Sequence, residues 1–343
     1  MKIVKSYCEL PFTRIRIDDM GGLNFCCYQG NRVLGNLKIN TFDELWNCDL
    51  ANEIRREVMG NHLHKMCISK ECAYNYRNLD NKIETNTNTN EYPYTLEFSL
   101  HRTHCNYGGK NPDRNKVCMM CPRADIGFKE YIKEIPDITF ELLNKLKPIF
   151  PYLRHFMVCG IAELFWEDKI FDVLDYVEFE KYKNRIKFEC ITNGSLFNNS
   201  TQIKLLEKVE FSHITFSLDA ATSKTYKQIR KNNYFDTILK NIKLWTDRID
   251  NTNHFVSISA NVNMINIGEM PDLIRLAKQL NVDNVCIFPT HDADGCNTLM
   301  PSNFRIGINN YKLFRKIQND CITIGKKIGV TVHFEIPLDL NLV

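Results

Sequence analysis

Three cysteines crowd one polar stretch, HRTHCNYGGKNPDRNKVCMMCPR at residues 101–123. Cys105, Cys118 and Cys121 stand in a C-x12-C-x2-C pattern. Three thiolates from one loop can hold three irons of a [4Fe–4S] cube and leave the fourth iron open to a substrate or cofactor. The same donors also suit zinc, which takes four ligands in a closed structural site, with His101 or His104 as the fourth. A second set lies upstream: Cys8, Cys26, Cys67 and Cys72, with Cys27 the substitute for Cys26. Four separated cysteines in a segment too short for a large core fit a metal that folds a small domain. A zinc ribbon is the competing reading of that set. Cys48, in the helix-like stretch Trp46–Leu50, reads as packing.

The rest of the composition narrows the field. The chain has 343 residues and 14 cysteines, with 44% hydrophobic and 25% charged residues. That is globular composition, long enough for two or three domains. No apolar h-region opens the sequence, so a signal peptide is not expected, and the default location is cytoplasmic. In a reducing compartment, clustered thiols hold soft metals more often than they form a disulfide framework. No apolar run is long enough to span a membrane. A net charge of +3 calls for neither a nucleic-acid nor a membrane-surface partner.

These cysteines need elements to position them. Glu84–Tyr92, ETNTNTNEY, is polar and low in complexity and reads as a loop or linker. It divides the chain into a cysteine-rich domain over 1–82, a linker over 83–93 and a larger domain over 94–343. In the larger part the spacing predicts strands at Tyr94–Leu100, His155–Cys159, Ile186–Ile191, His213–Leu218, Phe255–Met264, Asn284–Pro289 and Val330–Phe334. Amphipathic helices fall between them, at Ile138–Phe150, Ile170–Glu178, Gln202–Val209, Ser223–Arg230, Tyr234–Thr246, Met270–Leu280 and Asn310–Gly325. Alternating strands and helices mean an α/β fold with a parallel sheet, closing toward a full or partial TIM-like barrel. Three strands carry one polar face each: Thr95, Glu97, Ser99, His101; Thr215, Ser217, Asp219; and Ser257, Ser259, Asn261, Asn263. Parallel strands buried on both sides are normally apolar throughout, so this pattern predicts a polar lumen. The cysteine loop follows the first strand, where barrel loops build the active face.

At this point the sequence resembles the radical S-adenosylmethionine (SAM) superfamily over roughly residues 94–337. LEFSLHRTHCN…CMMCPR is similar to that family's first strand and cluster loop, although the usual spacing is C-x3-C-x2-C and Asn106–Val117 is an insertion. Met120 stands where an aromatic residue is common. Cys159-Gly160-Ile161-Ala162-Glu163 resembles the GGE motif, with Ala162 replacing a glycine. Ile191-Thr192-Asn193-Gly194 resembles TNG, and Ser217-Leu218-Asp219-Ala220 with Thr225–Arg230 resembles the segment whose Ser and Arg help bind SAM. Asn266 sits where many relatives carry Asn. The resemblance implies a partial (β/α)6 radical SAM barrel. It implies SAM contacts from Met120, Gly160, Ala162, Glu163, Ser217 and Arg230, and a SAM-binding [4Fe–4S] cluster on Cys105, Cys118 and Cys121. Upstream, Cys8…Pro11, VLGN, TFDELWN and EIRREV resemble a SPASM domain, here preceding the barrel. That implies an auxiliary [4Fe–4S] cluster on Cys8, Cys26, Cys67 and Cys72.

The implied activity is reductive cleavage of SAM to a 5′-deoxyadenosyl radical, which takes hydrogen from a substrate. The polar lumen favours a sugar, aminocyclitol or peptide, and the outcome is oxidation or epimerisation. An electron donor such as flavodoxin or ferredoxin is implied. An epimerase needs a hydrogen-atom donor, for which Cys296 is the first candidate and Cys159 and Cys190 follow. Asp292 and Asp294 are candidates for a base but read more readily as a solvated turn. Nothing before Cys105 resembles a leader-binding domain, so a peptide maturase would act with a separate partner. The rival class is a non-enzymatic zinc-module protein, whose expected basic, aromatic-studded surface the charge balance does not support.

Overall fold

The computed structural model describes residues 3–6, 8–29, 32–60, 64–67, 83–86, 91–101, 105–108, 115–121, 123, 136–160, 162–249, 253–290 and 300–334. Cys72, His104, Asp292, Asp294 and Cys296 lie outside the described residues. The strands, in chain order, are β1 (Ile3–Ser6), β2 (Arg14–Ile17), β3 (Gly22–Asn24), β4 (Gly35–Asn36), β5 (Ile83–Asn86) and β6 (Thr95–Ser99), then β7 (His155–Cys159), β8 (Lys187–Thr192), β9 (Ser212–Ser217), β10 (His254–Val262), β11 (Asn284–Pro289) and β12 (Thr331–Phe334). Ten of them form one sheet in the order β12-β11-β10-β9-β8-β7-β6-β2-β3-β4. From β6 to β12 the spatial order follows the chain order, as repeated βα units require. β1 and β5 pair antiparallel in a separate ribbon. The segment read as a loop from its polar repeats therefore contains a strand, because residues 83–86 find backbone partners in β1.

The chain divides into two compact units. One holds Met1–Arg102, Pro136–Ala162 and Phe171–Glu189. In it, β2 and β3 pair antiparallel as a hairpin, and β2 pairs in parallel with β6. Ile15, Ile17, Leu96, Phe98, Phe156 and Val158 are fully buried on one face. Of the alternate residues, Arg14, Arg16, Thr95, His155, Met157 and Cys159 are only half-buried, whereas Glu97 and Ser99 are buried. The period of two thus separates a closed apolar face from a partly open polar one.

The cysteine-rich part is organised around Arg55 and Trp46. Thr41 and Glu44 form a capping box at the start of the helix Phe42–Trp46. Cys48 caps the next helix, Asp49–Met59, with its Sγ accepting from the amide of Ala51 at 3.4 Å, so it serves as a cap rather than as packing. Arg55 is buried with its guanidinium 4.2 Å from the Trp46 ring centroid. It donates to the carbonyls of Pro11 (2.9 Å) and Trp46 (2.7 Å). Burial lowers its pKa to about 10. Arg55→Ala strands both carbonyls and empties the stacking site, so it should destabilise the protein by about 2–4 kcal/mol. A denaturant midpoint unchanged from the parent would refute this role.

The other unit holds Thr103–Ile135, Glu163–Ile170 and Cys190–Val343. Here β9, β10, β11 and β12 pair in parallel, with Ile214, Phe216, Ile258, Ala260 and Ile287 buried on one face. On the alternate face Ser217, Ser259 and Asn261 are half-buried and Ser257 is buried. The helices Asn199–Lys208, Ser223–Arg230, Phe235–Arg248, Met270–Gln279 and Tyr311–Ile328 follow the sequence periodicity to within a few residues at each end. No helix among the described residues is long and apolar enough to cross a membrane.

Candidate active site

The cysteine loop is held by its neighbours residue by residue. Asn106, next to Cys105, donates to Ser195 Oγ (2.9 Å) and accepts from Asn193 Nδ2 (2.9 Å). This fixes the start of the loop on the Thr192-Asn193-Gly194 turn after β8. Gly194 has φ +78°, and a Cβ there would meet Phe216 at 3.0 Å, so the turn requires glycine. Tyr107 bonds Tyr226 through their hydroxyls (2.8 Å) and stacks on Tyr234.

The helix Ser223–Arg230 holds the other end. Thr222 caps it, and its buried face presents Tyr226 and Arg230, one turn apart. The carbonyl of Ile229, among the last four of the helix and without an intrahelical donor, accepts the amide of Met119 at 2.9 Å. Arg230 Nη1 lies 3.7 Å from Cys118 Sγ, and its Nε pairs with Asp219 Oδ2 at 2.5 Å. Asp219 is fully buried and also accepts the amide of Asn261 at 2.8 Å, while its carbonyl accepts from Asn266 Nδ2 at 2.7 Å. Asn106, Tyr107 and Arg123 carry no motif signal of their own, so sequence reasoning gave them no role. Their adjacency to Cys105 and Cys121 was the available clue.

Burial and two arginines act in opposite directions on the loop thiols. Burial pushes the thiols of Cys105 and Cys121 up to about 11 and about 12 and raises that of Cys118. The guanidinium of Arg123 acts in the opposite direction on Cys105 and Cys121, and that of Arg230 does so on Cys118. Three thiolates on a [4Fe–4S] core of charge 2+ carry a net single negative charge, which the two arginines offset. Among the described residues, the trio of metal-ligating atoms gathered within 4.8 Å is Glu53, Glu57 and His64. The three loop sulfurs are not gathered so tightly. A tetrahedral zinc with bonds of about 2.3 Å would bring them to about 3.8 Å, whereas separate corners of a cube sit further apart. The donor set fits the cluster.

Glu163 is buried in the same unit. Its Oε2 accepts the amide of Asn193 (2.7 Å), and its Oε1 accepts from Thr192 Oγ1 (2.5 Å) and the amide of Phe165 (3.4 Å). Burial raises its pKa, opposed by these three donors. Its carboxylate therefore braces the turn that also holds Asn106. Glu163→Gln puts an amide NH2 among N–H and O–H donors, and SAM affinity should fall about tenfold, or 1.4 kcal/mol. Equilibrium dialysis with reconstituted protein measures it, and an unchanged affinity would remove Glu163 from the site. Met120 and Ser217 are half-buried in this unit.

In the other unit, Gly160 follows β7 with φ +119°, and a Cβ there would lie 3.3 Å from Ser99 Cβ. Gly160→Ala is expected to cost about 1–3 kcal/mol through backbone strain, read as a lowered Tm. Ala162 is half-buried. The auxiliary set has Cys8 buried and Cys26 and Cys67 half-buried. Gln29 joins the last two: its amide donates to the carbonyl of Cys26 (3.3 Å) and its Nε2 lies 3.8 Å from Cys67 Sγ. Cys27 is exposed, and the charges acting on it are those of Glu97, Arg14 and Arg16.

Residues 104–287 match the model of the Radical SAM superfamily. The chain belongs to the radical SAM superfamily. It is an enzyme of that superfamily, and residues 8–73 match the SPASM iron–sulfur cluster-binding domain. Its cofactors are a SAM-binding [4Fe–4S] cluster and an auxiliary cluster, and the reading of the chain as a non-enzymatic zinc protein is set aside. No curated protein matches it. Among solved structures, Streptococcus suis SuiB bound to SAM is similar at 16% identity, with a TM-score of 0.51 over 71% of this chain and 51% of that one. The chain thus spans about half the length of that protein. SuiB bound to its precursor peptide SuiA gives 17% identity and a TM-score of 0.52 over 98% of this chain and 73% of the other. A structure of anSMEcpe with bound SAM and the Cp18Cys peptide gives 15% identity and a TM-score of 0.51 over 71% of this chain and 63% of the other. At these identities the likeness concerns the fold.

Proposed function

We propose that this radical SAM enzyme removes a hydrogen atom from a polar substrate, a peptide before a sugar or aminocyclitol, leading to oxidation or epimerisation. The observation that carries the reading is the sheet face in each unit where polar, half-buried side chains alternate with fully buried apolar ones. A lipid would desolvate those half-exposed polar groups without offering them hydrogen bonds. The preference for a peptide is supported by the peptides held in the similar SuiB and anSMEcpe structures.

Cys105, Cys118 and Cys121 would hold the SAM-binding cluster, with Arg230 and Arg123 offsetting its charge. Cys8, Cys26, Cys67 and Cys72 would hold the auxiliary one. Cys26 is preferred to Cys27 because Gln29 ties it to Cys67. Bound there, the cluster and SAM supply a 5′-deoxyadenosyl radical. Met120, Gly160, Ala162, Glu163, Ser217 and Arg230 would bind and orient SAM. Flavodoxin or ferredoxin is the proposed class of electron donor. For epimerisation, Cys296 remains a candidate hydrogen-atom donor beside Cys159, whose thiol burial and Glu97 keep protonated.

The test is isotope transfer. Perdeuterated peptides, or perdeuterated sugars, are incubated with enzyme, SAM and reductant, and the 5′-deoxyadenosine is analysed by mass spectrometry. Deuterium from a peptide is the expected result. Deuterium from a sugar alone would reverse the order of substrates. Cleavage stimulated only by apolar lipids, with deuterium transferred from them, would contradict the proposal.

A further inference from the structure

The polar face of β2, β6 and β7 carries a charge imbalance that the SAM and cluster residues do not use. Arg14 and Arg16 alternate with Ile15 and Ile17 along β2, so both guanidinium groups stand on the polar face. Arg16 lies in register with Glu97 on β6, and Ser99 lies in register with Cys159 on β7. Glu97 is buried. Its Oε2 accepts from Arg14 Nη2, and its Oε1 accepts from Arg16 Nε (3.0 Å) and from the Cys159 thiol (3.2 Å).

One carboxylate thus serves two guanidinium groups. Burial opposes the charge on Arg16, and Glu97 is the carboxylate that offsets it. Burial and Glu97 raise the Cys159 thiol, so it contributes no second negative charge. Glu189, further along the face, is engaged by His155 at 3.4 Å. The two arginine side chains are 22% and 21% exposed, which leaves them reachable but poorly hydrated. Arg14 Nη2 also lies 3.9 Å from the thioether sulfur of Met157, and the buried Nε of Arg14 makes no hydrogen bond. A half-desolvated guanidinium fork with spare donors is a carboxylate receptor.

We propose that Arg14 and Arg16, preorganised by Glu97, bind a carboxylate of the substrate. This rests on the polar-substrate reading and narrows it to acidic substrates: a peptide with an acidic side chain or free C-terminus, or a sugar acid. Glu97 takes one N–H from each arginine and fixes both forks on the same face. The site lies beside Cys159 and one register pair from Gly160, whose Cβ position faces Ser99.

The test needs neither substrate nor SAM cleavage, so its failure is separable from failure of the radical SAM reading. Full-length protein with its clusters is treated with phenylglyoxal at constant ionic strength, and modification of each arginine is followed by peptide mass spectrometry. Succinate, succinamide, phosphate and chloride are compared as protectants. With succinate several times above its Kd, modification of Arg14 and Arg16 should slow about fivefold. Succinamide and chloride should give no protection, and Arg185, which donates to the carbonyl of Phe150 and not to Glu97, should be unaffected. In Arg16→Lys, with unchanged far-UV circular dichroism, the protection of Arg14 should be lost. Absence of protection by succinate would overturn the proposal. So would equal protection by succinamide or chloride, protection by phosphate alone, or unreactive Arg14 and Arg16 in the free protein.

Discussion

Replacing Cys105, Cys118 and Cys121 together by alanine will lower iron from about eight to about four per chain and abolish SAM cleavage. The described members of the two cysteine sets belong to different units. The loop set lies in the unit with Arg123 and Arg230, whereas Cys8, Cys26 and Cys67 lie in the other. Loss of one cluster therefore leaves the ligands of the second intact. The single variant Cys118→Ala should abolish cleavage as well, since it removes the buried sulfur that Arg230 faces. Cys8→Ala should have the converse profile, with about four irons lost and SAM still cleaved in the absence of substrate. Iron and sulfide analysis with chromatography of 5′-deoxyadenosine distinguishes these patterns. Retention of about eight irons in the triple variant would move the SAM-binding cluster elsewhere.

Arg230→Leu should be the most damaging change outside the cysteines. It leaves the carboxylate of Asp219 fully buried without its cation, which typically costs 3–5 kcal/mol, about. Burial opposes the charge on Arg230, yet Asp219 and Cys118 hold its pKa well above the ordinary value. The same substitution removes the cation beside Cys118, so any cluster retained should be harder to reduce. Arg230→Lys keeps a charge but not the fork that reaches both Asp219 and Cys118, and should fall between leucine and the parent. Arg230→Leu combined with Asp219→Leu should recover much of the thermal stability without recovering SAM cleavage, because the stranded charge is gone while the cation beside Cys118 is not restored. Recovery of cleavage in the double variant would contradict the role assigned to Arg230.

Much of the larger domain was legible because its strands and helices differ in period. The strand Ile214, Phe216, Leu218 and the helix Ser223–Arg230 are written in different rhythms, and the boundary between them carries a capping Thr222. The motif residues were legible for the same reason, since Glu163, Asn193 and Arg230 each follow a strand or end a helix. Residues that act through partners distant in sequence were harder to read. Tyr107 gives no local sign of Tyr226, and nothing in Asn106 announces Ser195. Pairing also overrode local propensity at Ile83–Asn86, where a polar repeat forms a strand because β1 supplies hydrogen-bond partners. The parallel pairing of β2 with β6, which brings Arg14 and Arg16 to Glu97, is likewise a tertiary fact that no spacing within either segment encodes.

The central claim is that this chain cleaves SAM reductively at the cluster held by Cys105, Cys118 and Cys121. The most direct measurement is anaerobic: reconstitute the protein, quantify iron, sulfide and zinc, add SAM and dithionite, and assay 5′-deoxyadenosine beside the triple cysteine variant. About eight irons, with 5′-deoxyadenosine formed by the parent and not by the variant, is the predicted result. Zinc in place of iron with no 5′-deoxyadenosine, or equal cleavage by the variant, would contradict it.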